Sequence, residues 1–217
     1  MGVAILIRHG HSTANADGVL SGRRPGVVLS ERGEREARGL AAAFEGVRLQ
    51  SVYVSPLERT LQTASLVFGD RALAEEYGII ECDYGDWSGR ALSDLTKEPL
   101  WTDVQNAPET VHFPNGESLI AMAARAVDTV QRLSANDGVF AFVSHGDIIK
   151  AVVSHASGAP FSQFQRIVID PCSVSVITCG EHPRLLASNV PITGAAAVLA
   201  GLGSSERGTV GGGGGAT

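Results

Sequence analysis

Val3-Ala4-Ile5-Leu6-Ile7-Arg8-His9-Gly10-His11-Ser12 passes without a break from five aliphatic residues to an arginine, a histidine and a glycine. A short, continuous apolar run rich in aliphatic and β-branched side chains predicts a strand buried on both faces, as strands of parallel sheets are. Open α/β sheets collect their ligand crevices at the carboxyl ends of such strands, which is where Arg8 and His9 stand. Their chemistry suits a phosphoryl group. A guanidinium grips two oxygens in a planar fork, and a neutral imidazole can attack phosphorus.

Working outward, strand-like and helix-like segments alternate, which predicts an α/β sandwich. After a polar loop from Asp17 to Leu29, Ser30 is placed to cap a helix. That helix carries Ala37, Leu40, Ala41 and Phe44 on one side and stops at Gly46. Ser51 to Val54 reads as a second strand, and Pro56 as the opening residue of a helix with Leu57, Leu61, Ala64 and Phe68 facing inward. Arg59 then falls in a first helical turn. A short strand is expected near Arg71 to Ala74. From Glu75 to Pro114, glycines and prolines loosen the pattern into a long excursion, the kind of insertion that forms lids or binding elements. Glu117 to Leu133 is predicted helical. Val139 to Val143 is a buried strand, followed by a helix running to about Ser157. Ser173 to Cys179 and Arg184 to Asn189 form a hairpin. Residues 1–190 thus read as one catalytic domain and 191–217, rich in glycine and alanine, as a flexible tail.

Bulk properties narrow the function. The 217 residues are 44% hydrophobic, enough for one sizeable core, and 17 basic against 23 acidic side chains give a net charge of −6. No basic block points to nucleic acid or an anionic membrane surface, and any phosphate pocket must be a local basic island. Cys82, Cys172 and Cys179 form no Cys-x-x-Cys pair and leave one thiol unmatched, as expected of reduced thiols in a cytoplasmic protein. The apolar start is too short for a signal peptide, no run is long enough to span a membrane, and Met1-Gly2 opens no myristoylation signal.

A second strand end repeats the first: Ser144-His145-Gly146-Asp147 follows Val139–Val143 as Arg8-His9-Gly10 follows Val3–Ile7. Glycine in that place lets backbone amides approach an anion, and a helix N-terminus adds partial positive charge. Ser55-Pro56-Leu57-Glu58-Arg59 brings another arginine from a third junction. Two arginines and two histidines are thereby aimed from separate strand ends toward one crevice.

Arg8-His9-Gly10, Ser55-Pro56-Leu57-x-Arg59-x-x-x-Thr63-Ala64, Glu81-x-x-x-Gly85 and Ser144-His145-Gly146 resemble, in that order, the histidine phosphatase superfamily, the phosphoglycerate mutase-like group. The resemblance spans roughly Val3 to Asn189. It implies a three-layer α/β/α sandwich with a mostly parallel, mixed central sheet and a helical excursion over the site. It also implies His9 as the nucleophile that becomes phosphohistidine, and Arg8, Arg59 and His145 as phosphoryl ligands. Asn15 would be a hydrogen-bonding member and Glu81 the acid that protonates the departing alkoxide. Ser21 and Gly22 lie where relatives contact substrate, and Gly146 opens the helix behind His145. The physical demands agree. His9 needs a bare ring nitrogen, and charge spreading over the equatorial oxygens needs fixed cations, here the arginines and a protonated His145. An alkoxide leaves poorly without a proton. His11 departs from the acidic residue or glutamine common after Arg-His-Gly in relatives.

The expected activity is a phosphomonoester phosphatase working through phosphohistidine on small phosphorylated metabolites, without metal or other cofactor. A homo-oligomer is compatible with the sequence. The alternative is a phosphomutase. Against it, the interval from Glu81 to His145 is shorter than in cofactor-dependent phosphoglycerate mutases. Their adjacent arginine pair is also missing; only Arg90, Lys97, Arg125 and Arg132, besides His112, are basic there. A metal hydrolase built on His9, His11, His145, Asp147 and Asp83 would leave Arg8 and Arg59 against a cation. A serine hydrolase lacks its Gly-x-Ser-x-Gly elbow. A non-catalytic phospho-ligand binder leaves a full set of turnover residues without a role.

Overall fold

The computed structural model describes residues 1–204. In chain order the elements are β1 (Gly2–Arg8), α1 (Thr13–Ala16), α2 (Glu31–Ala41), β2 (Leu49–Val54), α3 (Glu58–Phe68), β3 (Leu73–Glu75), α4 (Leu92–Leu95), α5 (Pro99–Asn106), α6 (Leu119–Leu133), β4 (Gly138–Ser144), α7 (Gly146–Ser157), β5 (Val174–Thr178), β6 (Arg184–Val190) and α8 (Ile192–Ala200). The strands form one six-stranded sheet in the order β3-β2-β4-β1-β5-β6. The first four in that order run parallel, and β5 turns antiparallel between β1 and β6. The sheet is mixed, mostly parallel on one side, with helices on both faces.

The apolar run that opens the chain serves both faces at once. Ala4 and Leu6 point into a core shared with α6, α7 and the excursion, while Val3, Ile5 and Ile7 point into one shared with α2, α3 and α8. Period-two alternation across a pleated strand requires this split, which is why every position had to be apolar. Phe140 and Phe142 against Val143 on β4 repeat it.

Register assembles the site. Arg8 pairs with Ser144 and Val54 with Val143, so the carboxyl ends of β1, β4 and β2 finish level with one another. The next residues extend the ladder: the His9 amide donates to the Ser144 carbonyl (2.9 Å) and the Ser55 amide to that of Val143 (3.0 Å). Side by side, three junctions that are far apart in sequence share one rim.

Ser30 caps α2 by accepting from the Gly33 amide, as its position predicts. Gly33 also permits close packing: a Cβ there would lie 2.0 Å from the His11 carbonyl oxygen. Two expectations need correction. Pro56 does not begin α3. Leu57 stays extended as the cap, with the Thr60 hydroxyl donating to the Ser55 and Leu57 carbonyls, and the helix starts at Glu58, leaving Arg59 in its first turn. The tail does not begin at residue 191, either. Ile192–Ala200 is helical, with Ala195 and Leu199 buried against α2 and the turn that follows it. Its small residues mark a helix that packs closely, which composition alone reads as flexibility. The glycine run 211–215 lies outside the described residues.

The excursion is less loose than its glycines and prolines imply. Short helical turns wrap a core of Ile79, Tyr84, Trp87, Leu95, Val104, Val111 and Phe113, all buried. Cys82, Cys172 and Cys179 are buried and unpaired. Among the described residues no helix is long and apolar enough to cross a membrane.

Candidate active site

At the rim of β1, β2 and β4 lies a cavity of about 290 Å³ lined by Arg8, His9, Asn15, Ser21, Glu81 and Gly146, with further walls from the excursion. Hydrogen-bond partners fix the state of both histidines. His9 Nδ1 lies 2.7 Å from the Gly10 carbonyl, which can only accept, so this nitrogen carries the proton. Nε2 is left with a lone pair, accepting from Arg59 Nε at 3.3 Å. Burial, together with the guanidiniums of Arg59 and Arg8, holds the His9 imidazole well below its ordinary pKa. The ring is therefore neutral and nucleophilic at Nε2.

His145 packs edge-on against His9, with ring centroids 5.3 Å apart. Its Nδ1 accepts from Arg59 Nη2 at 3.2 Å, and its Nε2 meets the Ser55 hydroxyl at 2.7 Å. A nitrogen that accepts from a guanidinium is bare. Burial and the nearby Arg59 likewise depress this pKa, so His145 is neutral with no phosphoryl group beside it.

The arginines show what is wanted. Arg8 Nη1 donates to the Ile169 carbonyl (2.6 Å) and Arg59 Nη2 to that of Gly22 (2.9 Å). Yet Arg8 Nε and Arg59 Nη1 are buried donors without a partner, and Arg59 is wholly enclosed. An unsatisfied buried donor costs about 1–3 kcal/mol, more when charged. Such donors converging beside a bare imidazole nitrogen and the N-terminus of α7 fit a tetrahedral oxyanion.

Residues 4–190 match the histidine phosphatase superfamily (branch 1). The chain belongs to this family. It is 33% identical over 186 residues to the adenosylcobalamin/alpha-ribazole phosphatase of Escherichia coli, covering 81% of this chain and 89% of that one. It is 28% identical over 158 residues to the 2,3-bisphosphoglycerate-dependent phosphoglycerate mutase of Thermoplasma acidophilum, covering 71% and 76%. The crystal structure of the alpha-ribazole phosphatase from Shigella flexneri superposes with a TM-score of 0.76 at 29% identity, over 86% of this chain and 96% of that one.

In this histidine phosphatase, Glu81 comes from the excursion. Its Oε1 accepts from the Cys82 amide (2.9 Å), which leaves Oε2, 3.8 Å from His145 Nδ1, to carry a proton. Burial, reinforced by the charge of Asp147, raises this carboxyl to about 7. A carboxyl that is half protonated near neutrality can both give and take a proton. The remaining expected residues divide. Asn15 lines the cavity but also completes a capping box, its Oδ1 accepting from the Ser12 amide and hydroxyl, so only its amide N–H groups face a ligand. Ser21 lines the wall. Gly22 instead turns its carbonyl to Arg59. His11 is tied to α2 through Glu36 and Ser30 and does not line the cavity. Ser144 spends its hydroxyl on the Ile79 carbonyl, away from any triad. Among the described residues no three His, Cys, Asp or Glu side chains gather as a metal set.

Sequence reading missed the frame behind Glu81. Its carbonyl accepts from Arg23 Nε (2.7 Å) and Arg125 Nη2 (3.1 Å), and both arginines bind Glu117. Arg125 also reaches the Gly78 and Ile80 carbonyls. Nothing in the spacing of these charged residues marks them, since the partners converge only through the fold. Thr63 was legible as part of a motif, though its work was not: its hydroxyl accepts from the Gly10 amide and donates to the Arg59 carbonyl, locking the loop after His9 to α3.

Proposed function

We propose that this chain is a phosphomonoester phosphatase in which His9 Nε2 attacks phosphorus. Arg8 and Arg59 bind the equatorial oxygens with their unpaired N–H groups, joined by Asn15 and the amide end of α7 at Gly146. His145, neutral at rest, hydrogen-bonds the phosphoryl group and gains a proton more readily once that dianion lies beside it. Glu81 in its protonated form delivers a proton to the leaving oxygen, then as carboxylate draws one from the water that cleaves phosphohistidine. The observation that carries the reading is the pair of orphaned guanidinium donors beside a bare imidazole nitrogen, with a carboxyl poised near neutrality in the cavity that Arg8 and His9 line.

Hydrolysis is favoured over phosphoryl transfer between hydroxyls by where the cations go. Arg90 pairs with Glu98, Lys97 with Asp94, and Arg125 with Glu117, and neither these nor Arg132 line the cavity. None is free to clamp the second acidic group of a bisphosphate. Incubation with 3-phosphoglycerate and a bisphosphate primer is expected to release inorganic phosphate. Predominant formation of the isomerised monophosphate would establish the mutase instead.

A further inference from the structure

Beyond the phosphoryl pocket the cavity changes character. Its walls are Trp87, Trp101, Val104, Phe113 and Leu119, with the exposed Leu92 at the rim. Trp87 and Trp101 stack at 6.2 Å with 23° between their planes, and Phe113 meets Trp87 edge-on at 5.4 Å. This is a stiff aromatic wall, built from rings that hold one another in place.

Its charges cancel. Among the described residues the one cation lining this part is Lys150, whose ammonium lies 3.2 Å from Asp147 Oδ1 and 3.0 Å from Gln165 Oε1. Asp147 is further held by the Tyr84 hydroxyl at 2.8 Å. With Arg8 committed to the phosphoryl oxygens, a second carboxylate or phosphate on the substrate would meet no unpaired cation among the lining residues. It would also lose its hydration against indole and phenyl rings. A neutral leaving group with a ring loses nothing of the kind and gains apolar contact. Lys150 keeps a third N–H and Gln165 an amide NH₂ for acceptors on that ring.

We propose that this chamber selects phosphomonoesters of neutral, ring-bearing alcohols, seated against Trp87, Trp101 and Phe113, and discriminates against esters carrying a second anionic group. This rests on the phosphatase reading above. The test compares kcat/KM for 2-phenylethyl phosphate, ethyl phosphate and 3-phosphoglycerate, three alkyl esters that all need a protonated leaving oxygen. The phenylethyl ester is expected to exceed each of the others by about tenfold or more, the yield of burying one ring. Trp101→Ala should shrink the phenylethyl-to-ethyl ratio toward one. Asp147→Asn, which unpairs Lys150, should raise the 3-phosphoglycerate-to-ethyl ratio by about tenfold; taking ratios removes any common effect on Glu81. Comparable kcat/KM on all three esters, or preference for 3-phosphoglycerate, overturns this inference while leaving the phosphatase standing. Failure to hydrolyse any of them overturns both.

Discussion

The strand ends and the excursion above them furnish opposite walls of one cavity by different means. Arg8, His9 and His145 are set by sheet register, Arg8 within the ladder and the two histidines one residue beyond it, and Arg59 by the first turn of a helix beginning at the same rim. Glu81 sits on no strand or helix. It is held by side chains, chiefly Arg23, Arg125 and Glu117, gripping the backbone from behind. The groups proposed to meet phosphorus in one geometry are thus mounted on the stiffest part of the fold. The proposed acid and the aromatic chamber proposed to seat the leaving group ride on an insertion whose residues can change without disturbing the sheet.

Breaking the two walls separately should give different signatures. His9→Ala is expected to cost on the order of 10⁴-fold or more in kcat on every ester, because the covalent step is lost whatever the leaving group. A similar loss confined to alkyl esters would move the nucleophile elsewhere. Glu81→Gln should cost about 10²–10⁴-fold on alkyl phosphates and little on p-nitrophenyl phosphate, whose leaving group needs little protonation. Equal losses on both would remove the acid role.

The same carboxyl sets a pH dependence. With Glu81 raised to about 7 in the free enzyme, kcat/KM on alkyl esters should fall as pH rises beyond that value, while p-nitrophenyl phosphate is spared. Stability follows the same sign. The folded pKa lies above the unfolded one, so the neutral carboxyl's contribution is complete below the unfolded value and is lost as pH rises through about 7. Denaturant titrations of Glu81→Gln should lack that slope.

Arg125→Met tests the frame rather than the chemistry. By freeing the Gly78, Ile80 and Glu81 carbonyls it should lower alkyl ester turnover by roughly 10²-fold through misplaced acid, with a smaller loss on p-nitrophenyl phosphate. An equal loss on both would mean Arg125 serves the strand-end wall. The smallest effect on catalysis belongs to Leu199→Ala in α8. It should leave kcat unchanged and cost about 2 kcal/mol in unfolding free energy, as a buried leucine does. An unchanged unfolding curve would return this segment to a loose tail.

The contrast also explains what could be read from sequence. Motifs at strand ends are contiguous because a strand and its following turn are contiguous, so Arg8-His9-Gly10 and Ser144-His145-Gly146 announced both the sheet and the rim on which they meet. Glu81, which lines the cavity, was singled out through its spacing to Gly85, whose positive φ and close approach to the Pro114 carbonyl bend the chain there. Its supporting charges were not, because Arg23, Glu117 and Arg125 lie far from it in sequence and look like ordinary surface residues. The resting state of His145 was not legible for a related reason: residue type gives a possible charge, whereas burial and the nearby guanidiniums lower its pKa. Helix α8 was missed because alanine and glycine composition records no partner, and its partners are α2 and the turn that follows it.

The covalent intermediate is open to direct observation. Turnover of an alkyl phosphate labelled with ³²P, quenched in alkali within milliseconds and digested, should place an acid-labile, base-stable label on the peptide containing His9. Label on another residue, or none during rapid hydrolysis, would contradict attack by His9 Nε2.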